Sequence, residues 1–150
     1  MPPTHMNWRI ITVGKPAFPW AREAVETYLK RLQHYTRLDR HPQRRPSCQR
    51  RTTDAHRIRN ALRIALDERG EFRRSGSARW IEKQHLAGTQ RVCVLIGGAD
   101  GHSPELREKA DALWRLSDLT LQHEVALIVL LEQIYGAHTI LKKKEPYHRE

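Results

Sequence analysis

His123 and the closing Tyr147, His148 and Arg149 carry side chains of types that can hydrogen-bond a ligand, move a proton or neutralise an anion. Imidazole titrates near neutrality, which fits a general acid or base, and a guanidinium can stabilise developing negative charge. His123 opens the longest apolar stretch of the chain, so a capping or core histidine is the favoured reading there from the residues alone. For the tail, an ordinary polar terminus is the default reading. A second signal is Ile96-Gly97-Gly98-Ala99-Asp100-Gly101, an apolar run broken by glycines. Glycine lets the backbone pass close to a ligand. The pattern is neither a P-loop nor a dinucleotide fingerprint, so a phosphate cradle is not implied and a tight structural turn remains open. The histidines lack the His-Glu-x-x-His spacing and the two cysteines, Cys48 and Cys93, stand apart, so no metal is expected. Ser75 and Ser77 lack a nucleophile-elbow context.

Charge supplies a third signal. The net charge is +10, and residues 1–75 hold 17 Lys/Arg against 7 Asp/Glu, whereas residues 76–150 hold 10 of each. Arg37, Arg40, Arg44, Arg45, Arg50, Arg51, Arg57, Arg59 and Arg63 crowd one stretch whose only acids are Asp39 and Asp54. Guanidinium forks match phosphate oxygens and stack on bases, so nucleic acid is the favoured partner, with a merely solvated basic surface as the alternative.

At 150 residues the chain fits one domain able to bury a core without disulfides. The N-terminus has no apolar signal-peptide core, and the longest purely apolar run, 125–131, is bounded by Glu124 and Glu132. No membrane span is therefore expected, and the cysteines read as reduced thiols of a cytoplasmic protein.

Several elements must position these groups. Residues 1–5 read as an extension and 6–150 as a single domain. Residues 8–13, 62–66 and 92–96 are β-rich runs stopped by Gly14, the turn at 67–70 and Gly97. The 92–96 run is apolar throughout, as in a parallel strand covered on both faces. Apolar spacing predicts helices over 21–35 and 77–86. Ser103 and Pro104 provide a helix start, and that helix is expected to reach about Trp114. A short helical turn is expected within 54–60 and a short strand and loop over 116–121. Residues 37–53, with two prolines and few apolar side chains, read as a mobile basic loop. The helix over 123–141 is apolar nearly all round, which predicts burial on more than one side and suggests a second subunit. Residues 142–150 form a polar tail. The alternation of strands and helices predicts an α/β fold with a mainly parallel sheet. Ligands of such sheets sit outside the carboxyl ends of the strands, which groups the turn after Leu66, the turn at 97–101 and residues 116–121.

Three segments then carry a family resemblance: Leu95-Ile96-Gly97-Gly98-Ala99-Asp100-Gly101, Leu116-Ser117-Asp118-Leu119-Thr120-Leu121-Gln122-His123, and Glu132-Gln133-Ile134-Tyr135 with the terminal Pro146-Tyr147-His148-Arg149-Glu150. With the N-terminal Trp8-Arg9-Ile10-Ile11-Thr12-Val13-Gly14-Lys15 and with Ala65-Leu66-Asp67-Glu68-Arg69-Gly70, the chain resembles the ribosomal large-subunit pseudouridine N3-methyltransferases of the SPOUT class over 6–150. The likeness is strong from Val92 onward and weak over 37–60.

The resemblance implies a parallel sheet whose C-terminal part forms a deep trefoil knot, a homodimer, and S-adenosyl-L-methionine as methyl donor. It implies cofactor contacts from Leu66, Gly97, Leu116, Ser117, Asp118, Leu119, Thr120 and Leu121. It further implies a substrate in ribosomal RNA or the ribosome, with His123, Tyr147, His148 and Arg149 as the catalytic set. A knotted RNA-binding paralogue without catalysis is the alternative. Gln122, Leu127 and Gly136 stand where the family usually carries Pro, Arg and Arg.

Overall fold

The computed structural model describes residues 6–13, 18–43, 61–72, 77–97 and 104–142. The chain runs β1 (Asn7–Val13), α1 (Pro19–Leu32), β2 (Leu38–Gln43), β3 (Ala61–Phe72), α2 (Ser77–Leu86), β4 (Arg91–Ile96), α3 (Pro104–Lys109), β5 (Ala112–Arg115) and α4 (His123–Lys142). The five strands form one sheet in the order β2-β1-β4-β3-β5, and every pairing is parallel. The parallel α/β expectation therefore holds.

Strand alternation divides the core in two. Trp8, Ile10, Ile64, Val92, Val94 and Ile96 face one side, where they join Val25, Ile81, Leu127, Leu130, Leu131 and Ile134 of the helices. Both α1 and α2 pack against α4 there. The other side is thinner: Ile11, Ala65 and Leu95 are covered by Leu106 of α3. Since β4 is buried on both faces, its sequence needs no polar alternation. Burying one leucine of α4 stabilises the fold by about 1.5–3 kcal/mol. By length and composition alone α4 is apolar enough to cross a membrane, yet most of it is enclosed by α1, α2 and the sheet.

The observed elements depart from the expected ones at four places. Residues 37–53 are expected as a loop, but Leu38–Gln43 is strand β2, paired in parallel with β1 from Leu38 opposite Trp8 to Gln43 opposite Val13, and 44–53 lie outside the described residues. An edge strand has one solvated side, so it tolerates Asp39, Arg40 and Pro42 without apolar alternation. The second departure is α3, which stops at Lys109 rather than near Trp114. Arg63 takes the Lys109 carbonyl through its Nη2, and its backbone N–H donates to Asp111 Oδ2 at 2.7 Å. The Asp111 N–H donates in turn to the Arg63 carbonyl at 2.8 Å. These bonds end the helix and launch β5 alongside β3. In consequence residues 116–121 contain no strand, because the strand lies just upstream at Ala112–Arg115. Finally, β3 runs to Phe72 instead of Leu66, with an irregularity between Leu66 and Glu71.

Glycine resolves two local problems. A Cβ on Gly70 would lie 2.6 Å from the Leu113 carbonyl carbon, so only glycine lets β3 rejoin β5 after its bulge. At the end of α2, Gly88 has φ +83°, while Thr89 N–H bonds the Gln84 carbonyl and Gly88 N–H bonds the His85 carbonyl. That is a Schellman stop. Residues 54–60, expected to hold a helical turn, lie outside the described residues, as does most of the expected tail.

Candidate methyl-donor pocket

The strand register creates the site. Leu66 of β3 pairs with Ile96 of β4 and with Trp114 of β5, so three strands reach the same level, where the carboxyl ends of β4 and β5 meet the bulge of β3 in one floor. Above it opens a cavity of about 680 Å³ lined by Leu66, Ile96, Gly97, Trp114, Leu116, Ser117, Leu119, Thr120, Leu121 and His123, among others. Small-molecule pockets span roughly 300–1,000 Å³. The turn after Leu66, Gly97 and residues 116–121 thus converge on one cavity, and residues 98–101 of the grouped turn lie outside the described residues. Asp118 is the expected contact that does not line it: this exposed side chain is paired with Arg115 Nη1. Tyr147, His148 and Arg149 lie outside the described residues.

Local polar chemistry shapes each wall. The bulge after Leu66 is held by Asp67 Oδ1, which accepts from the Arg69 N–H at 2.9 Å, an Asx turn. Asp67 Oδ2 also lies 3.5 Å from Arg107 Nη1 of α3, with side-chain exposures of 9% and 22%. The opposite wall is held by Ser117 Oγ, accepting from the Leu119 N–H at 3.0 Å. Thr120 Oγ1 donates to Glu68 Oε1 at 3.0 Å and so ties the two walls together across 52 residues of chain. The pocket therefore combines an apolar floor, backbone groups freed from the sheet ladder, and charges of both signs at its rim.

Gln122 has a structural task. Its Oε1 accepts from the backbone N–H groups of Glu124 at 3.0 Å and Val125 at 3.2 Å, capping α4. This satisfies donors that open every helix and sets His123 at the cavity wall. Leu127 is 2% exposed, and Gly136 is buried, so neither position presents a side chain to the surface.

Sequence reasoning missed Arg107, Trp114, Arg115, Gln122 and Ala126, all of which line the cavity, whereas Asp67, Glu68 and Arg69 belong to the turn after Leu66 that the sheet-end argument includes. Arg107 and Trp114 were placed on one helix, and only the termination at Lys109 turns Trp114 toward the pocket floor.

A parallel sheet whose last strand leads through a pocket-forming loop into a buried C-terminal helix defines a class. The family described as "Predicted SPOUT methyltransferase" matches residues 6–148. The chain belongs to that family and is a methyltransferase. Its relatives sharpen the comparison. It is 41% identical over 145 residues to a "Ribosomal RNA large subunit methyltransferase H" of Thermus thermophilus, covering 96% of this chain and 99% of the relative. A protein of the same name from Deinococcus deserti is 38% identical over 149 residues, covering 96% and 100%. Among solved structures, a probable rRNA-methyltransferase from Porphyromonas gingivalis has a TM-score of 0.54 at 13% identity, covering 91% of this chain and 70% of that one. The SpoU methyltransferase AviRb of Streptomyces viridochromogenes gives 0.51 at 12% identity, covering 95% and 62%. These two support the fold.

Proposed function

We propose that this protein transfers a methyl group from S-adenosylmethionine to N3 of a pseudouridine in large-subunit ribosomal RNA. The observation that carries the reading is the single cavity formed by Leu66, Gly97 and residues 116–121, in a chain alike along its length to proteins named for rRNA methylation. The residues present suit such a cofactor. An apolar floor of Leu66, Ile96 and Trp114 accepts a purine ring, the freed backbone groups can hold its edge, and rim charges of both signs match a cationic amino acid carrying a carboxylate. When bound, the cofactor supplies an electrophilic methyl carbon whose bond to sulfur breaks as the bond to N3 forms.

This chain's own residues align the nucleophile and take its proton. Alignment within a closed pocket supplies much of the rate. A histidine near neutral pH suits removal of the N3 proton, with His123 at the cavity wall and His148 on the tail as the two bases. Arg149 would offset the negative charge that develops on the base ring, and Tyr147 would help orient it.

The unit is a homodimer in which the tail of one protomer completes the pocket of the other. Val125, Val129 and Ile140 of α4 support this, because Val125 and Val129 are part-exposed and Ile140 is exposed, and none of the three packs against the core. The last elements are threaded as a trefoil knot, residues 6–150 act as one domain with 142–150 as its tail, and the enzyme works in the cytoplasm, where ribosomes are.

The test uses ribosomes from cells lacking this gene, incubated with purified protein and radiolabelled S-adenosylmethionine, followed by mass spectrometry of the RNA. One methyl group on a large-subunit pseudouridine is expected. No transfer, or transfer to another base, refutes the proposal. His148→Ala and His123→Ala then separate the bases: the true base loses turnover while donor affinity stays unchanged.

A further inference from the structure

Three of the four tryptophans are used in packing. Trp8 is 1% and Trp114 7% exposed, and Trp80 packs edge-on to Trp114 with centroids 4.7 Å apart. Trp20 differs. It is 53% exposed, its neighbour Phe18 is 45% exposed, and the two rings are stacked at 5.5 Å with an interplanar angle of 15°. The other aromatic contacts among the described residues are tilted or T-shaped.

Local sequence makes this pair rigid. Pro19 follows Phe18 and favours extended backbone there, as seen at φ −91° and ψ 129°. The Phe18 carbonyl accepts the N–H groups of Ala21 and Arg22, both at 3.1 Å, so Phe18 caps α1 and Pro19 begins it. Residues two apart do not face each other within a helix. Here the first stands outside the helix, which lets the rings lie face to face. The opposite face of α1, with Ala21, Val25 and Leu32, is buried.

Position decides what the platform fits. It stands at the first turn of α1, which follows β1 in the chain, and β1 lies beside β4 in a parallel sheet. The platform therefore lies at the same end of the sheet as the Gly97 pocket. Arg22, whose N–H bonds the Phe18 carbonyl, is exposed one turn on from Phe18, with the exposed Glu23 next to it in sequence, on a chain of net charge +10. Flat exposed rings beside cationic side chains are how proteins hold unpaired bases, because every base has a π-face.

We propose that Phe18 and Trp20 form a stacking platform for an unpaired base of the RNA substrate, outside the methyl-transfer pocket. The inference rests on the reading of the protein as an RNA methyltransferase. A stacked base holds the strand in register with the pocket and contributes affinity without phosphate contact.

The test compares wild type, Trp20→Phe, Trp20→Ala and Phe18→Ala/Trp20→Ala by fluorescence anisotropy with a labelled 12-nucleotide single-stranded RNA. Methyl transfer to ribosomes, calorimetry with S-adenosylmethionine and light-scattering mass are measured in parallel. The alanine variants should bind RNA about 10-fold more weakly, with an unchanged slope of affinity against salt. Trp20→Phe should retain most binding, and donor affinity should stay at the wild-type value. Unchanged RNA affinity in the double variant overturns the platform. So does a change of mass in the alanine variants, which would assign the rings to contact with a second copy. Wild-type protein that binds RNA but transfers no methyl group would instead overturn the functional reading and leave a tested platform.

Discussion

Replacing Gly70 by alanine places a methyl group where the backbone of β5 already stands. The new Cβ would lie 2.6 Å from the Leu113 carbonyl carbon, 2.7 Å from its oxygen and 2.7 Å from the Trp114 carbonyl carbon. Unstrained carbon atoms sit about 3.5–4.0 Å apart. All three neighbours are main chain in a paired strand, so none can rotate away and the two strands must part. Overpacking typically costs about 1–3 kcal/mol, and a clash with backbone alone belongs near 3 kcal/mol. For a domain of this length that lowers Tm by roughly 6–12 °C. The same displacement carries Trp114, and with it Leu116 and Ser117, away from the pocket floor, so S-adenosylmethionine should bind about 10-fold more weakly. Urea unfolding measures the first effect and titration calorimetry the second. Gly88→Ala is the control: its φ of +83° imposes strain of about 1 kcal/mol, nothing lies within 4 Å of the new Cβ, and donor affinity should not change. A Gly70→Ala protein within about 0.5 kcal/mol of wild type, with full donor affinity, would refute the argument that this glycine holds β3 against β5 and shapes the pocket.

Three further outcomes follow from other contacts. Thr120→Val removes the hydroxyl that joins residues 116–121 to Glu68; stability should hold within about 0.5 kcal/mol because the pair is exposed, while donor Kd should rise about 3- to 10-fold. Trp8→Phe deletes the indole N–H that donates to His138 Nε2 at 3.2 Å inside the core, and should cost about 2 kcal/mol in urea unfolding. Burial pushes the Cys93 thiol above its ordinary value of 9.0, with Arg9, Arg91 and Arg63 pulling it partly back. In a Cys48→Ser background, Ellman's reagent should therefore find no thiol in the native protein at pH 8 and one after unfolding. With the folded pKa raised, the native state holds this proton more tightly. That contribution to stability is complete below pH 9.0 and is lost as pH rises through the folded value.

The sequence by itself determined the parallel α/β class and the positions of β1, α1, α2, β4 and α4, because apolar periodicity and strong stop signals report local burial directly. Residues 92–96 were legible as a doubly buried strand, and the family resemblance supplied a methyl donor that composition could not. Only the tertiary structure decided the rest. Strand β2 carries charge and proline that no local rule assigns to a strand; its place at the sheet edge, beside β1, makes that composition tolerable. The end of α3 is set by Arg63, nearly fifty residues away in sequence, reaching the Lys109 carbonyl. Arg107 of α3 reaches the pocket beside Asp67, and β3 rejoins β5 only because Gly70 lets two backbones approach, which leaves almost no pattern in either strand. Burial periodicity is a property of a segment, whereas a pocket depends on distances between segments, and those are fixed only once the sheet has assembled.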